Sequence, residues 1–214
     1  GATALAASGI FWYLSGVSES KIMVPATRAM RVIDGDTFET EERQLIRLTG
    51  IDAPEMGNCY GEEAKKALGE LIMNKNLYIK TIYRDGTNRL ISHVYNEQGM
   101  VSEQMAGMGM AYYMSSGIND PELIKAVDEA RKEKLGIYSA KCTQTTNPAN
   151  NTCVIKGNIR VGAEGQKFYH FPGCGRYNQT MVELARGDRW FCTEAEAKKA
   201  GFTKGADCFE KKWR

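Results

Sequence analysis

The 214-residue sequence has no apolar run long enough to cross a bilayer with ease, no internal repeat, no low-complexity tract and no Cys-x-x-Cys pair. The first absence removes a polytopic membrane protein, the second a solenoid or propeller, and the third a fibrous or disordered chain. The fourth deprives any thiolate zinc site of its usual spacing. Net charge is only +2, so the chain as a whole is not a strong polyanion binder, and the 43% apolar content is ordinary for a globular protein. The length allows one domain of typical size with a small module beside it.

Charge is divided unevenly along the chain. Residues 1–140 carry 15 basic and 19 acidic groups, whereas residues 141–214 carry 13 basic and 7 acidic ones. Attraction to a polyanion would therefore come mainly from the C-terminal part. Ala2 to Val17 is uncharged and rich in small and apolar residues, with the first charge at Glu19. It predicts the remnant of a signal peptide or N-terminal membrane anchor over residues 1–20; a buried first helix is the alternative. Five of the six cysteines (Cys59, Cys142, Cys153, Cys174, Cys192, Cys208) follow residue 140, and with the N-terminal run their even number favours an exported, bacterial-type protein whose small module is held by disulfides. Fifteen pairings are open; one of them, Cys142 with Cys153, would close a small loop. His170, Cys174, Cys192 and Cys208 also form a weak Cys₃His zinc candidate. His93 reads as a packed histidine, and the methionines near 100–114 as core filling.

Apolar, β-branched segments predict strands over Lys21–Asp34, Gln44–Thr49, Asn76–Tyr83 and Leu90–Tyr95. Helical spacing predicts helices over Gly61–Asn74 and Val101–Gly107, and the Asp120-Pro121 pair opens another that runs to about Gly136. Strands closing on themselves around an inserted helix fit an α+β fold built on a five-stranded OB-type barrel with three helices. Lys141 to Thr152 is polar and aperiodic and predicts a linker. Residues 153–214 then form a small α+β module, with a hairpin around Gly162–Gly165 and a capping box, Thr193-Glu-Ala-Glu196, opening a helix that ends at Gly201.

Chemistry concentrates in two segments. Asp34-Gly-Asp-Thr37 is an acidic turn, and Arg47 to Glu55 (Arg-Leu-Thr-Gly-Ile-Asp-Ala-Pro-Glu) places an arginine and two carboxylates at the end of a strand-like run. Carboxylates converging from two strand ends suit a hard cation, and an arginine beside them can grip a phosphate. With Arg89 in Asn-Arg-Leu-Ile-Ser-His-Val-Tyr and the Lys132-Glu-Lys-Leu-Gly-Ile-Tyr-Ser139 signature, these segments resemble, in the same order, the motifs of the staphylococcal nuclease (thermonuclease) family over about residues 27–140.

The resemblance implies an OB-type fold and a Ca²⁺-dependent phosphodiesterase that cuts DNA and RNA with little sequence preference and leaves 3′-phosphate ends. Asp36, Asp52 and the main-chain carbonyl of Ala53 would hold one Ca²⁺, with Asp34 behind them. Glu55 would act as general base or water-orienting group, and Arg47 and Arg89 would bind the scissile phosphate. The family usually has threonine at the position of Ala53, and often Lys-Tyr-Gly where Gly86-Thr-Asn88 stands. Tyr112 and Tyr113 are approximate candidates for stacking a base. A monomer is expected. The competing expectation is a non-catalytic single-stranded nucleic-acid-binding OB module; another is that the C-terminal module sets function by docking to nucleic acid or envelope polymers. The module itself resembles a small cysteine-containing domain that follows some bacterial thermonucleases.

Overall fold

The computed structural model describes residues 27–115, 120–160, 165–208 and 210–213. The expected leader over 1–20, the strand before Thr27 and most of the turn at 162–165 lie outside the described residues. β1 (Ala29–Val32), β2 (Thr37–Thr40) and β3 (Leu45–Leu48) form an antiparallel meander. Alternation along β3 buries Ile46 and Leu48 in the core and turns Arg47 to the other face, where the site is built. After β4 (Ile51–Asp52), α1 (Gly61–Ile72) packs Ala64, Leu68 and Ile72 onto the sheet at the predicted helical spacing.

β5 (Tyr78–Arg84) and β6 (Leu90–Asn96) then form a long hairpin, and β7 (Gly99–Met100) pairs back on β6. The sheet order is β1-β2-β3-β6-β5, with β3 and β6 parallel. The expected barrel is not closed by paired strands among the described residues. A single antiparallel bridge, Thr27 with Leu77, joins the starts of β1 and β5. α2 (Val101–Gly107), β8 (Tyr112–Tyr113) and α3 (Pro121–Lys132) complete this part, β8 pairing with β4. Asp120 caps α3 by accepting from the Leu123 N–H at 3.1 Å. The helix stops four residues before the expected Gly136, because the chain turns through a left-handed Lys134.

The C-terminal part contains β9 (Thr143–Gln144), β10 (Ile155–Ile159), β11 (Lys167–His170), β12 (Val182–Glu183), β13 (Arg189–Phe191), α4 (Glu194–Lys199) and β14 (Thr203–Lys204). Its four-stranded sheet, ordered β13-β10-β11-β14, packs Ile155, Tyr169, Phe171, Phe191 and Phe202 into a second core. The predicted capping box forms: Thr193 accepts from the Glu196 N–H at 3.2 Å, and Glu196 reaches back to the Cys192 N–H at 2.8 Å.

Three disulfides join Cys59 to Cys142, Cys153 to Cys192 and Cys174 to Cys208. The small-loop pairing of Cys142 with Cys153 is thus absent: Cys142 is buried with Tyr112, Ile137 and Ala185 and bonds Cys59, while Cys153 bonds Cys192. The expected linker is correspondingly not free: β9 pairs with β12, and a third buried cluster of Tyr112, Ile137, Cys142 and Ala185 joins the two parts. Among the described residues no helix is long and apolar enough to cross a membrane.

Candidate active site

The acidic turn between β1 and β2 depends on Gly35. A Cβ there would lie 2.6 Å from the Ala53 Cβ and 2.7 Å from the Ala64 Cβ, so glycine is what allows the turn to sit under the β4 segment and α1. The Asp34 carboxylate accepts from the Asp36 N–H at 3.1 Å and fixes the turn, leaving Asp36 to point inward. Asp36 is almost wholly buried. Its Oδ1 accepts from Thr37 Oγ1 at 2.9 Å and from Arg47, and its Oδ2 accepts from the Ala53 N–H at 2.9 Å. Arg47 then forks, one nitrogen on Asp36 at 2.5 Å and the other on Asp52 Oδ1 at 2.7 Å. One guanidinium therefore brings together carboxylates from two turns.

Burial pushes the Asp36 carboxyl up to about 6, against the opposing pull of Arg47 and the Ala53 N–H. Burial also works against the Arg47 cation, but Asp36 and Asp52 outweigh it and hold its proton more tightly. Because Asp36 binds its proton more strongly folded than unfolded, its contribution to stability is largest below about pH 4 and is lost as pH rises through about 6. Asp188 is also raised to about 6 by burial and adds in the same sense, whereas Asp85 acts oppositely at lower pH and His93 and His170, both lowered by burial, act oppositely as pH falls through the ordinary histidine range. Metal-free protein should therefore melt at a lower temperature at pH 7 than at pH 5. Asp36→Asn should remove a large part of that slope, at most on the order of 3 kcal/mol. Thermal melts in chelator across this range test it.

Arg89, at the end of the β5–β6 turn, faces the same cleft. Asp85 holds it twice: the carboxylate accepts from the Arg89 N–H at 2.9 Å and from Nε at 2.9 Å. Burial raises the Asp85 carboxyl, but the hydrogen bonds from Arg89 and Thr87 together win and hold it near 2. Spacing along the chain gives this residue no role, yet it orients one of the two arginines. Asp85→Asn should loosen the Arg89 side chain, which NMR relaxation of the Arg89 Nε–H would reveal as greater mobility.

A cleft of about 380 Å³ is lined by Arg47, Glu55, Tyr83, Asp85, Arg89 and Met114, among others. Glu55 is exposed on the loop that leads into α1. The loop is tightly folded there: a Cβ on Gly61 would meet the Glu55 carbonyl at 2.4 Å. Tyr83 and Met114, exposed by 50% and 38%, are the apolar walls of this cleft. The expected base-stacking Tyr112 is buried instead, with Arg186 lying 3.5 Å over its ring and Tyr138 packed edge-on. Tyr113 is half-buried on β8.

The weak zinc set does not assemble. Cys192 is bonded to Cys153, and Cys174 and Cys208 lie beside His170 but are bonded to each other, so all six cysteines are in disulfides and none offers a thiolate.

The two acidic turns and the two arginines define a compact site for an anion carrying several oxygens, with a carboxylate at its rim. The family described as staphylococcal nuclease homologue matches residues 45–140. Similar proteins include an uncharacterized endonuclease of Escherichia coli O157:H7, 34% identical over 52% of this chain and 76% of the relative. An uncharacterized endonuclease of Haemophilus influenzae is 28% identical over 61% of this chain and 74% of its own. A probable staphylococcal-like nuclease of Oryza sativa subsp. japonica is 35% identical over 48% of this chain and 31% of its own. The chain belongs to the staphylococcal nuclease family.

Proposed function

We propose that the protein is a Ca²⁺-dependent phosphodiesterase that hydrolyses DNA and RNA internally with little sequence preference, leaving 3′-phosphate ends. The observation that carries this reading is the joint placement of Arg47, Glu55 and Arg89 around one cleft, with Arg47 tied to both Asp36 and Asp52. The relatives' names as endonucleases and nucleases support it. The strand order β1-β2-β3-β6-β5 with its single closing bridge supports an OB-type groove.

The donor set fits a hard cation. Asp36 is a buried carboxylate whose burial disfavours its charge, and Asp52 lies beside it with a 44% exposed side chain. These two and the Ala53 carbonyl would hold Ca²⁺. When bound, the ion would supply positive charge where the phosphorus oxygens gain negative charge, and would acidify a coordinated water. The remaining work falls to the chain's own groups. Arg47 and Arg89 hydrogen-bond phosphate oxygens with planar donor forks that stay protonated throughout. Glu55, exposed at the cleft rim, takes the proton of the attacking water. The three disulfides fit an oxidising compartment, and we infer export, with or without an N-terminal anchor, and a monomer.

Glu55→Gln and Arg89→Ala should each lower single-stranded DNA cleavage by about 10²- to 10⁴-fold at saturating Ca²⁺ while leaving the thermal melt nearly unchanged. Glu55→Gln should bind the strand as well as the parent does. Undiminished cleavage in either variant removes that residue from the reaction.

A further inference from the structure

The C-terminal module has a cleft of its own, about 590 Å³. Alternation along β10 and β11 sends Ile155 and Tyr169 into the aromatic core and turns Asn158, Phe168 and His170 to the opposite face of the sheet, where this cleft lies. Arg160, just after β10, and Arg176, in the segment that crosses this face, both line it and both are exposed. Neither guanidinium has a carboxylate in ion-pairing reach among the described residues. The two carboxylates on the cleft wall are engaged elsewhere. Glu183 Oε2 accepts from Arg186 Nε at 3.2 Å, and Asp207 Oδ2 accepts from the Arg176 backbone N–H at 2.8 Å.

One polar atom of the same cleft, Asn158 Oδ1, is buried without a hydrogen bond, although its amide nitrogen donates to the Met181 carbonyl and to Asp188. His170 Nδ1 is paired with Asp207 Oδ1 at 3.0 Å. Leaving a polar atom unpaired is costly, and a ligand with its own polar edge would recover part of that cost. Phe168 supplies a partly exposed ring and Met181, 48% exposed, an apolar rim. Two exposed guanidinium groups without an ion pair among the described residues, an aromatic face and an unspent polar atom in one cleft match a ligand that is at once anionic, ring-bearing and polar-edged.

We propose that this cleft is a second nucleic-acid site, which takes one nucleotide unit of a single strand, with its phosphate on Arg160 and Arg176 and its base on Phe168. The inference rests on nucleic acid being the substrate of the first cleft. The basic balance of residues 141–214, 13 positive against 7 negative groups, draws the strand to this part of the chain, while the acidic nuclease part does the cutting. Long strands are then held at two places and very short ones at only the catalytic cleft.

The test uses the full chain and a fluorescent 12-nucleotide thymidylate strand in chelator, so that binding is read without cleavage. Arg160→Gln/Arg176→Gln should raise Kd at least tenfold and lower the slope of log Kd against log salt by about 0.7 to 1.4, the loss of one to two phosphate contacts. Arg160→Lys/Arg176→Lys should restore most of the slope, and Phe168→Leu should weaken binding about tenfold with the slope unchanged. Ca²⁺-dependent cleavage of a dinucleotide, too short to reach both clefts, should be unchanged in all three variants. Unaltered Kd and slope in the glutamine variant, with its thermal melt intact, would overturn the proposal. So would a normal Kd for Phe168→Leu together with equal binding of heparin, since that pattern is a polyanion patch that ignores the base. If no form cleaves single-stranded DNA in Ca²⁺, the nuclease reading alone fails, because the binding comparison is made without metal.

Discussion

Arg47→Ala should abolish cleavage and lower stability together, the largest combined effect expected of any single substitution in this chain. The side chain is 14% exposed, and it is the only cation hydrogen-bonded to Asp36 among the described residues. Removing it leaves a carboxylate that is 3% exposed beside Asp34 and Asp52 with no compensating charge, and breaking a buried pair in this way costs about 3–5 kcal/mol. For a chain of this size that lowers the melting temperature by about 10 °C. The loss should shrink as pH falls toward about 6, because without Arg47 the Asp36 carboxyl holds its proton to higher pH still and the uncompensated charge disappears. A second change, Asp36→Asn, should restore stability at pH 7 but not cleavage, which separates the structural role of Arg47 from its role toward phosphate. Arg47→Lys keeps the charge but cannot fork between Asp36 and Asp52, so it should stay at least about 10²-fold slow. Melts at pH 5 and 7 in chelator, beside cleavage rates in Ca²⁺, read both effects.

Loss of the Cys59–Cys142 bridge is the second large effect. It closes a loop of 83 residues, for which chain entropy alone gives about 4 kcal/mol. Its position adds a functional consequence. Cys59 is four residues after Glu55, in a loop whose neighbours Asn58 and Tyr112 are held by the C-terminal part: Asn58 donates to the Ala185 carbonyl at 3.4 Å, and Arg186 covers the Tyr112 ring. Tyr112 in turn pairs with Asp52 in the β4–β8 ladder. The junction thus supports both Glu55 and Asp52, the proposed general base and metal-binding carboxylate. Cys59→Ser/Cys142→Ser should melt about 10–15 °C lower. Below that melt, cleavage should fall several-fold through kcat, with strand affinity in chelator unchanged. Equal kcat in the folded double variant would leave the bridge a role in stability only.

How much of this was legible in the sequence depends on the range of the interaction. Gly35, Asp36, Arg47 and Asp52 could be read because a turn, a strand period and a strand end place them locally, and the structure joins them through one guanidinium. The caps at Asp120 and Thr193 are equally local and form as read. Asp85 does not stand out in the sequence because its hold on Arg89 depends on side-chain direction, which spacing does not reveal. The cysteine pairing was open for a different reason: connectivity follows from which cores the sulfurs meet, and no pattern along the chain records that. The stretch 141–152 was polar and aperiodic, yet two of its residues pair with β12, a contact nearly 40 positions distant that composition cannot signal. Tyr112 illustrates the same limit, since the arginine that covers it belongs to the C-terminal part.

The most direct measurement is fragmentation of single-stranded DNA by the intact protein in Ca²⁺ and in chelator, with the ends of the products identified. Rapid breakdown in Ca²⁺ to fragments bearing 3′-phosphates, and none in chelator, is the predicted result. Binding of the strand by folded, Ca²⁺-saturated protein without any cleavage would contradict the account and leave a nucleic-acid-binding module in place of an enzyme.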